Sequence, residues 1–313
     1  MKILSKPKGN AEEYGRWSVN PYKGCPHGCQ YCYLKKGAWK KGLGGSMPTL
    51  KDGIVNEDHA FHLAWCEIIE NREQIIKDGG LFMSFITDPL CEGYWVSGRD
   101  CGEGMVRTMF LALAKGSIAT GIPVIILTKA VGFRNHFHYK DIAGKSTYYE
   151  ISPELHNRQS MIAFGWTLTG HDELEPNAPS NEKRLQEMEA VKNDGLKVWA
   201  SIEPVIDFDS SFAMIQQALD AGCRHFKIGL LTNNTKVVRS KYDMVKCCQF
   251  VGYVMELTER YGATVYWKQS FVDFLQVSKK DPQPVHGMTA REFLSQWKHS
   301  VGKDWSMFKT SAV

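Results

Sequence analysis

The sequence predicts an α/β fold in which parallel strands alternate with helices. Two observations favour this class. Apolar, strand-like runs alternate with helical stretches through most of the chain, and the strand-like runs end at polar or turn-forming residues. The 313 residues contain no internal repeat and no linker rich in Pro, Gly or Ser, so we expect one continuous domain.

Six strands are predicted from short apolar runs. They cover residues 80–86, 123–127, 161–166, 196–202, 225–230 and 263–267. Helices are predicted between them, over residues 105–120, 182–193, 212–221 and 242–261. Asn181 is expected to cap the second of these helices, because it immediately precedes the helical stretch. This order accommodates six or seven β/α units.

Polar side chains follow the predicted strands at their carboxyl ends, where parallel β/α proteins collect functional residues. They are Thr87 and Asp88, Lys129, Thr167 and Thr169, Ser201 and Glu203, and Lys268 and Gln269. Each one alone is compatible with an ordinary loop residue. Together they predict a polar mouth at one edge of the sheet.

The composition is that of a soluble globular protein, with 43% hydrophobic and 23% charged residues. No apolar run approaches the ~18 residues that a membrane span needs, and residues 1–14 are polar. We therefore expect a cytoplasmic protein without a membrane partner. Nine cysteines, three of them within eight residues, favour a metal or redox site over a secreted disulfide framework.

Positive charge is concentrated at the two ends of the chain, although the net charge is only +4. Residues 1–50 carry nine Lys or Arg against two acids, and residues 236–313 carry twelve against seven. Segregated positive charge can bind a polyanion such as nucleic acid, but solvated lysine-rich faces are also common in proteins that bind none. Both interpretations remain open at this point.

The strongest signal is a cysteine loop with the spacing C-x3-C-x2-C, formed by Cys25, Cys29 and Cys32. Thiolates suit iron-sulfur clusters and zinc, and a 4Fe-4S cluster normally takes four of them. Three thiolates leave one iron open to a substrate or cofactor. The alternative is a zinc knuckle completed by His27 or a distant cysteine, although no second half of the usual paired zinc motif is present.

C-x3-C-x2-C with an aromatic residue, Tyr31, before the last cysteine is similar to the signature of the radical S-adenosylmethionine (radical SAM) superfamily. Roughly residues 17–230 resemble the spore photoproduct lyase family. The matching stretches are Asn20-Pro21-Tyr22-x-Gly24-Cys25, Thr87-Asp88-Pro89, Leu127-Thr128-Lys129, Leu174-Glu175-Pro176-Asn177-Ala178-Pro179-Ser180 and Arg184-Leu185.

The resemblance implies a partial (β/α)6 radical SAM barrel with a C-terminal extension. Residues 1–235 would form the core barrel with its N-terminal cluster loop. Residues 236–313 would add a helix, a strand and a basic tail that complete the barrel. The aromatic and basic tail, with Trp297, Trp305, Phe308, Lys298, Lys303 and Lys309, either stacks on nucleic-acid bases or packs a terminal helix.

The resemblance also implies the cofactors and their ligands. A 4Fe-4S cluster on the three loop cysteines would be chelated by S-adenosylmethionine, and a flavodoxin or ferredoxin-type donor would reduce it. The residues carried over have distinct roles. Thr87 and Asp88 would meet the methionyl amino group, Lys129 its carboxylate, Thr167 or Thr169 the ribose, Tyr31 the adenine, and Ser201 and Glu203 cofactor or substrate.

One departure from the family concerns the hydrogen donor. Spore photoproduct lyases repair a thymine dimer in DNA with a cysteine just before the aspartate turn, whereas Phe85-Ile86-Thr87-Asp88 contains none. Cys91 and Cys101 on the following loop are the nearest candidates for a catalytic or redox role, and the alternative is that they are small buried apolar residues.

Three functions follow as expectations. The first is a radical enzyme, whether lyase, isomerase or base-modifying, that acts on a nucleic-acid base. The base would be thymine-derived, the process DNA repair or DNA modification, and the partner DNA or a nucleotide. The second is a radical enzyme that acts on a small molecule, peptide or protein. The third is a non-catalytic zinc-binding module.

Overall fold

The structure is a computed structural model that describes residues 2–35, 40, 42–91, 105–133, 138–140, 146–148, 158–231, 242–271 and 274. Its centre is an eight-stranded sheet. In spatial order the strands are β1 (Leu4–Ser5), β2 (Ser18–Val19), β5 (Leu81–Met83), β6 (Val124–Thr128), β9 (Ile162–Thr167), β10 (Lys197–Val205), β11 (His225–Leu230) and β12 (Thr264–Trp267). Every neighbouring pair is parallel except β1 with β2. The α/β fold and its mainly parallel sheet are thus confirmed, and the sheet is open rather than a closed barrel.

Two short antiparallel pairs accompany the main sheet. Strand β3 (Tyr22–Lys23) pairs with β4 (Thr49–Leu50), and β7 (His138–Lys140) pairs with β8 (Ser146–Tyr148). The first pair leads directly into the cysteine loop. Of the predicted C-terminal region, residues 242–271 and 274 are described, and the aromatic and basic tail lies outside the described residues.

Among the residues that the structure describes, six α-helices connect and flank the strands. They are α1 (Glu57–Glu70), α2 (Arg72–Lys77), α3 (Met105–Ala119), α4 (Asn181–Asn193), α5 (Phe208–Asp220) and α6 (Met244–Arg260). A side-chain oxygen of the preceding residue caps four of them by accepting a backbone N–H of the first turn. These caps are Asn56, Ser180, Asp207 and Asp243. In the part of the chain that is described, no helix is long and apolar enough to cross a bilayer.

Four local predictions were wrong. Strand β10 continues to Val205 and does not end at the predicted Ile202, so Glu203 lies within the strand. The other three differences have a clear physical reason. Ser180 rather than Asn181 caps α4, because Asn181 is buried and its side chain accepts the Thr169 N–H at 3.0 Å. Strand β5 ends at Met83, because Ser84 adopts a positive φ of 60° and its hydroxyl accepts the N–H groups of Ile86 and Thr87. Helix α5 starts four residues before the predicted Phe212, at the residue that follows its cap.

The two faces of the sheet differ in chemistry because side chains alternate along each strand. One face, packed against the helices, is continuous with the main apolar core and includes Val124, Ile126 and Phe164. We call the other the inner face. Toward the amino ends of the strands, the inner face carries a second apolar cluster of Tyr14, Phe82, Ile125, Ala163 and Trp199.

Toward the carboxyl ends of the strands, the inner face becomes polar. Thr167, Ser201, Lys227 and Tyr266 lie side by side on neighbouring strands in the parallel register of β9 to β12. Lys129 follows Thr128, which pairs with Trp166, and so stands at the same level on the next strand. A polar row therefore crosses the sheet near the carboxyl ends of its strands, as the sequence predicts.

A segment between β1 and β2 spans the open inner face. This strap, residues 10–14, follows β1 in the chain and contacts the β12 edge of the sheet. The contacts are hydrogen bonds that involve side chains, and the strap does not pair as a strand. The Glu13 carboxylate accepts the Gln269 N–H at 2.8 Å and the Tyr266 hydroxyl at 3.3 Å. The main-chain oxygens of Glu13 and Asn10 accept the ammonium groups of Lys227 and Lys268.

Candidate functional site

The cysteine loop, residues 24–33, is anchored on both sides by backbone hydrogen bonds. The Cys25 N–H donates to the Gly45 carbonyl at 3.0 Å, and the Gln30 N–H donates to the Leu174 carbonyl at 2.9 Å. Gly24 has a φ of +85°, and a Cβ there would lie 2.2 Å from the Met47 oxygen. Only glycine fits this close approach, which explains one of the two glycines in the motif.

The three thiols lie in the same small region. Cys29 is buried and packs with Tyr31 and Ile206, whereas Cys25 and Cys32 are half-buried. Burial raises the pKa of Cys25 to about 12, with further contributions from Asp88 and Cys29, and burial raises the pKa of Cys32 as well. The Cys25 and Cys32 thiols therefore hold their protons at neutral pH, and binding of a metal would release them.

The donor set is of a kind that iron-sulfur clusters use. Within the described residues, no three His, Cys, Asp or Glu side chains are grouped so that they could hold one metal ion. The three cysteines are soft donors in one short, backbone-anchored loop, and thiolates of this kind are the usual ligands of a 4Fe-4S cluster.

His27, the residue proposed for a zinc knuckle, is occupied by other partners. Its Nε2 lies 2.7 Å from Asp88 Oδ2, and both side chains are buried. Its Nδ1 lies 3.5 Å from the Asn177 carbonyl oxygen. The imidazole thus ties the cysteine loop to the loop after β5, and neither ring nitrogen points to a cysteine in this arrangement.

Asp88 lies at the junction of three segments. Its Oδ1 accepts the Thr128 hydroxyl at 2.5 Å and the Leu90 N–H at 2.9 Å, and its Oδ2 accepts the Lys129 N–H at 2.7 Å. Burial opposes ionisation, but His27 and the hydrogen bonds outweigh it and hold the pKa of Asp88 well below its usual range. The carboxylate is therefore charged next to the cysteine loop.

Thr87, the other predicted residue of this turn, contacts the cysteine loop directly. Its hydroxyl donates to the Gly24 carbonyl at 2.7 Å, and the residue is buried. Thr87 and Asp88 thus both contact the cysteine loop. Their contact with an amino group stays a prediction.

Lys129 and Tyr31 meet at a buried carboxylate that the sequence left without a role. The Tyr31 hydroxyl donates to Glu175, and Lys129 Nζ lies 3.8 Å from Glu175 Oε1. Arg184 Nη2 lies 2.5 Å from Glu175 Oε2, and neither of these side chains is exposed. We call these four residues the Glu175 group. Burial lowers the pKa of Lys129, but Cys29 and Glu175 outweigh it and raise the value, so Lys129 is a cation beside the thiols.

The predicted ribose contacts, Thr167 and Thr169, are both buried. The Thr167 carbonyl accepts Arg184 Nη1 at 3.0 Å, which joins the end of β9 to the Glu175 group. The Thr169 hydroxyl accepts the His171 N–H at 3.2 Å. Thr167 therefore lies near the Glu175 group, while Thr169 stabilises the turn after β9.

Ser201 and Glu203 belong to a second polar group that involves the strap. The Tyr14 hydroxyl is 2.8 Å from Ser201 Oγ and donates to Glu203, and both Glu203 oxygens lie 2.7 Å from Lys268 Nζ. With Glu13 and Lys227 these residues form what we call the strap group. Burial, helped by neighbouring Lys268, lowers the pKa of Lys227 well below its usual value, even though two carboxylates oppose this.

The two candidate donor cysteines have different outcomes. Cys91 is only 2% exposed and belongs to the main apolar core, and burial, with Asp88 and Cys25 nearby, raises the pKa of its thiol. It behaves as the small buried apolar residue of the alternative interpretation. Cys101 lies outside the described residues.

Sequence reasoning missed five residues that the structure gives central positions. They are Glu13, Tyr14, Glu175, Arg184 and Lys227. Glu175 and Arg184 stood in stretches that carry the family resemblance, so a signal for them existed. Lys227 lies on a strand whose alternation places it beside Ser201. Glu13 and Tyr14 had no local signal, because all of their partners in the strap group are distant in the chain.

Comparison with known proteins gives limited similarity. No family model matches the sequence. The uncharacterized protein MJ0683 of Methanocaldococcus jannaschii is 24% identical over 215 residues, which cover 66% of this chain and 67% of that protein.

Among solved structures, SuiB of Streptococcus suis bound to S-adenosylmethionine is similar to this chain. The alignment covers 80% of this chain and 49% of the SuiB chain, with 11% sequence identity and a TM-score of 0.44. SuiB bound to its precursor peptide SuiA aligns at 12% identity with the same TM-score of 0.44. The chain thus spans about half the length of these structures. We therefore argue the function from the residues of this chain.

Proposed function

We propose that this protein is a radical SAM enzyme whose 4Fe-4S cluster is held by Cys25, Cys29 and Cys32. One observation carries the proposal. The C-x3-C-x2-C loop meets the carboxyl ends of parallel strands, where a charged Asp88 and the Lys129 cation lie beside the thiols. When bound, the cluster and S-adenosylmethionine would supply one-electron cleavage of a carbon-sulfur bond and hydrogen abstraction from a substrate.

The residues of the chain fit the polar groups of that cofactor. Lys129 is a cation suited to a carboxylate, and its side chain is 14% exposed, so it is accessible from the inner face. Asp88, whose oxygens already have partners, supplies a buried negative charge beside the cysteine loop that favours an ammonium group nearby, and Thr167 supplies a hydroxyl at the level of Lys129. Tyr31 offers an aromatic surface between two of the cysteines. These roles are part of the proposal.

We place the substrate next to the strap group. In the parallel register, Glu203 lies two residues beyond Ser201 on the inner face, and one strand, β9, lies between its strand and that of Lys129. With about 4.8 Å between neighbouring strands and about 3.3 Å per residue along a strand, Glu203 and Lys129 are about 12 Å apart. The Glu203 side chain is 20% exposed, whereas Lys268 behind it is 2% exposed. The accessible group is therefore an acceptor that suits an N–H donor of the substrate.

A thymine-derived base is our first substrate hypothesis, because its imide edge offers an N–H donor to Glu203. The basic residues 1–50 would suit DNA or a nucleotide as the larger partner. A peptide or small molecule with an amine or amide fits the same acceptor and is the second hypothesis. A cysteine-mediated repair reaction through Cys91 is disfavoured, since that thiol is buried in the core.

We further propose that a flavodoxin or ferredoxin-type protein delivers the electron at the cysteine loop. Tyr33 is 41% exposed at the end of that loop, and its hydroxyl donates to the Phe85 carbonyl. Lys35 and Lys40 are exposed close by in sequence and suit the acidic surface of such a donor.

The test is anaerobic reconstitution with iron and sulfide, followed by dithionite and S-adenosylmethionine, with 5′-deoxyadenosine as the measured product. We expect product from the native chain and none from Cys29→Ala. Product that rises with thymine-containing DNA supports the base hypothesis. Product that is indifferent to DNA supports the second hypothesis. A colourless, zinc-containing protein that forms no deoxyadenosine would overturn the proposed function in favour of the zinc-binding module.

A further inference from the structure

Glu175 contacts the Tyr31 side chain of the cysteine loop and lies 3.8 Å from the Lys129 ammonium. Its side chain is fully buried and immediately follows a 3-10 helix, Asp172–Leu174. Three segments contribute its partners. The Tyr31 hydroxyl of the cysteine loop donates to Glu175. Lys129, at the end of β6, has its Nζ 3.8 Å from Glu175 Oε1, and Arg184, on α4, has its Nη2 2.5 Å from Glu175 Oε2.

Arg184 is fixed independently of Lys129 and Tyr31. It is fully buried, and its Nη1 donates to the Thr167 carbonyl at 3.0 Å. The guanidinium therefore keeps its place, and one carboxylate balances two cations. Without the negative charge of Glu175, the Lys129 ammonium would face the Arg184 guanidinium uncompensated and would be driven from its present position.

The backbone around Glu175 is bonded to the cysteine loop as well. The Leu174 carbonyl accepts the Gln30 N–H at 2.9 Å, and the Asn177 N–H donates to the His27 carbonyl at 3.2 Å. The Asn177 side chain donates to the Pro26 carbonyl at 3.0 Å. Glu175 is thus held against the loop by its neighbours, and its carboxylate can direct side chains without being needed to hold the loop itself.

We propose that Glu175 is a positioning residue, which fixes Tyr31 and Lys129 in the orientation that receives S-adenosylmethionine. This inference rests on the proposed function for the identity of the ligand. Glu175 itself is too buried to touch the ligand and acts through its two partners. Partners that orient ligand-binding side chains typically change affinity or activity by about 10–100-fold when they are removed.

The first experiment measures the Kd for S-adenosylmethionine of the reconstituted protein and of Glu175→Gln, which keeps the shape and loses the charge. We expect Kd to rise about tenfold, at the low end of that range, with unchanged iron per chain. Asp78→Asn is the matched control. The Asp78 carboxylate accepts the Trp17 indole N–H at 2.8 Å and does not belong to the cysteine loop or the Glu175 group. We expect the Kd of Asp78→Asn for S-adenosylmethionine to equal that of the native chain.

A double-mutant cycle separates positioning from general damage. In a Lys129→Met, Tyr31→Phe background, Glu175→Gln should add less than about a twofold change in Kd, because the residues through which it acts are gone. An equal loss of affinity in both backgrounds, or a loss of iron in Glu175→Gln, would overturn the positioning role.

A third readout needs no cofactor. Lysines are labelled by reductive ¹³C-methylation, and the Lys129 resonance is assigned by its absence in Lys129→Met. We expect Glu175→Gln to shift this resonance. If the native chain binds no S-adenosylmethionine while the resonance shifts, the proposed function fails and the orientation of Lys129 by Glu175 stands. An unchanged resonance overturns the inference whatever the native chain binds.

Discussion

The Glu175 group and the strap group are built on the same plan but differ in exposure. In each, a glutamate on the inner-face side of the sheet accepts a tyrosine hydroxyl and pairs with a cation: Glu175 with Tyr31 and Arg184, Glu203 with Tyr14 and Lys268. Glu175 is fully buried, whereas the Glu203 side chain is 20% exposed. The comparison indicates that a sealed carboxylate orients its neighbours, while an accessible one can also meet a ligand.

The largest loss of stability should follow from removing one partner of the fully buried Glu175–Arg184 pair. Arg184→Met leaves Glu175 as a buried charge with only Lys129, at 3.8 Å, to balance it. Loss of one partner of a buried pair costs about 3–5 kcal/mol, and we expect urea-induced unfolding to show a loss in this range. The control is Arg16→Met, because Arg16 is 53% exposed in its pair with Asp78 and should contribute less than about 1 kcal/mol. Equal losses in the two variants would contradict the interpretation.

The corresponding change in the strap group should cost less. Lys268→Met removes both 2.7 Å contacts to Glu203, but water can reach the partly exposed carboxylate. We expect a loss of about 3 kcal/mol, the low end of the range for buried pairs. Adding Glu203→Gln should recover part of it, since no unpaired charge then remains. A larger loss of unfolding free energy in Lys268→Met than in Arg184→Met would contradict the conclusion that the more buried group is the more sensitive one.

The two tyrosines give a finer comparison. Tyr14→Phe removes the hydroxyl that contacts Ser201 and donates to the partly exposed Glu203 carboxylate, and it should cost about 1.5 kcal/mol, the low end for hydrogen bonds to charged groups. Tyr31→Phe removes a donor from a fully buried carboxylate and should cost about 2 kcal/mol, near the value for hydrogen bonds to charged groups. The measurement is again urea unfolding of both variants, and Tyr14→Phe as the costlier change would contradict the comparison.

The smallest effect concerns His171, which lies outside both groups. Its Nδ1 is 2.7 Å from Glu173 and its Nε2 is 2.5 Å from Asp207. Burial disfavours the cation, but the two carboxylates outweigh it and raise the pKa of His171. The stabilisation is therefore fully present below the ordinary value of about 6.5 and is lost as pH rises through the raised pKa.

The same carboxylates set the lower limit of this pH window. Hydrogen bonds from His171 lower the pKa of Glu173, and those from Ser210 and His171 outweigh burial to lower that of Asp207. Their contribution is lost as pH falls through the lowered values. The thermal stability difference between the native chain and His171→Gln should thus be greatest at about pH 5–6, between the ordinary carboxyl and histidine values, and should shrink on either side. A pH-independent difference would contradict this origin.

The sequence was most informative where partners are close in the chain or where a strand pattern repeats. The cysteine spacing identified the loop, and strand ends identified Asp88, Lys129, Thr167 and Ser201 as one polar edge. The inner-face alternation of β10 and β11 could also have placed Lys227 beside Ser201. Both kinds of signal arise because regular geometry converts spacing into position.

The remainder depended on contacts that no local pattern encodes. Tyr14 meets Ser201 and Glu203 only because the strap crosses the open face of the sheet. Asn181 has the residue type of a helix cap, but burial directs its amide to Thr169 and Asp172 instead. In both cases tertiary contacts, rather than propensity, decide the partner.

The strap also dictates an order of events during protein synthesis. Its partners on the inner face lie between 187 and 258 residues later in the chain. The strap therefore cannot close over the inner face until residues 266–269 have emerged from the ribosome. Up to that point in translation, Ser201, Glu203 and Lys227 have no strap to contact, so this part of the molecule is completed last.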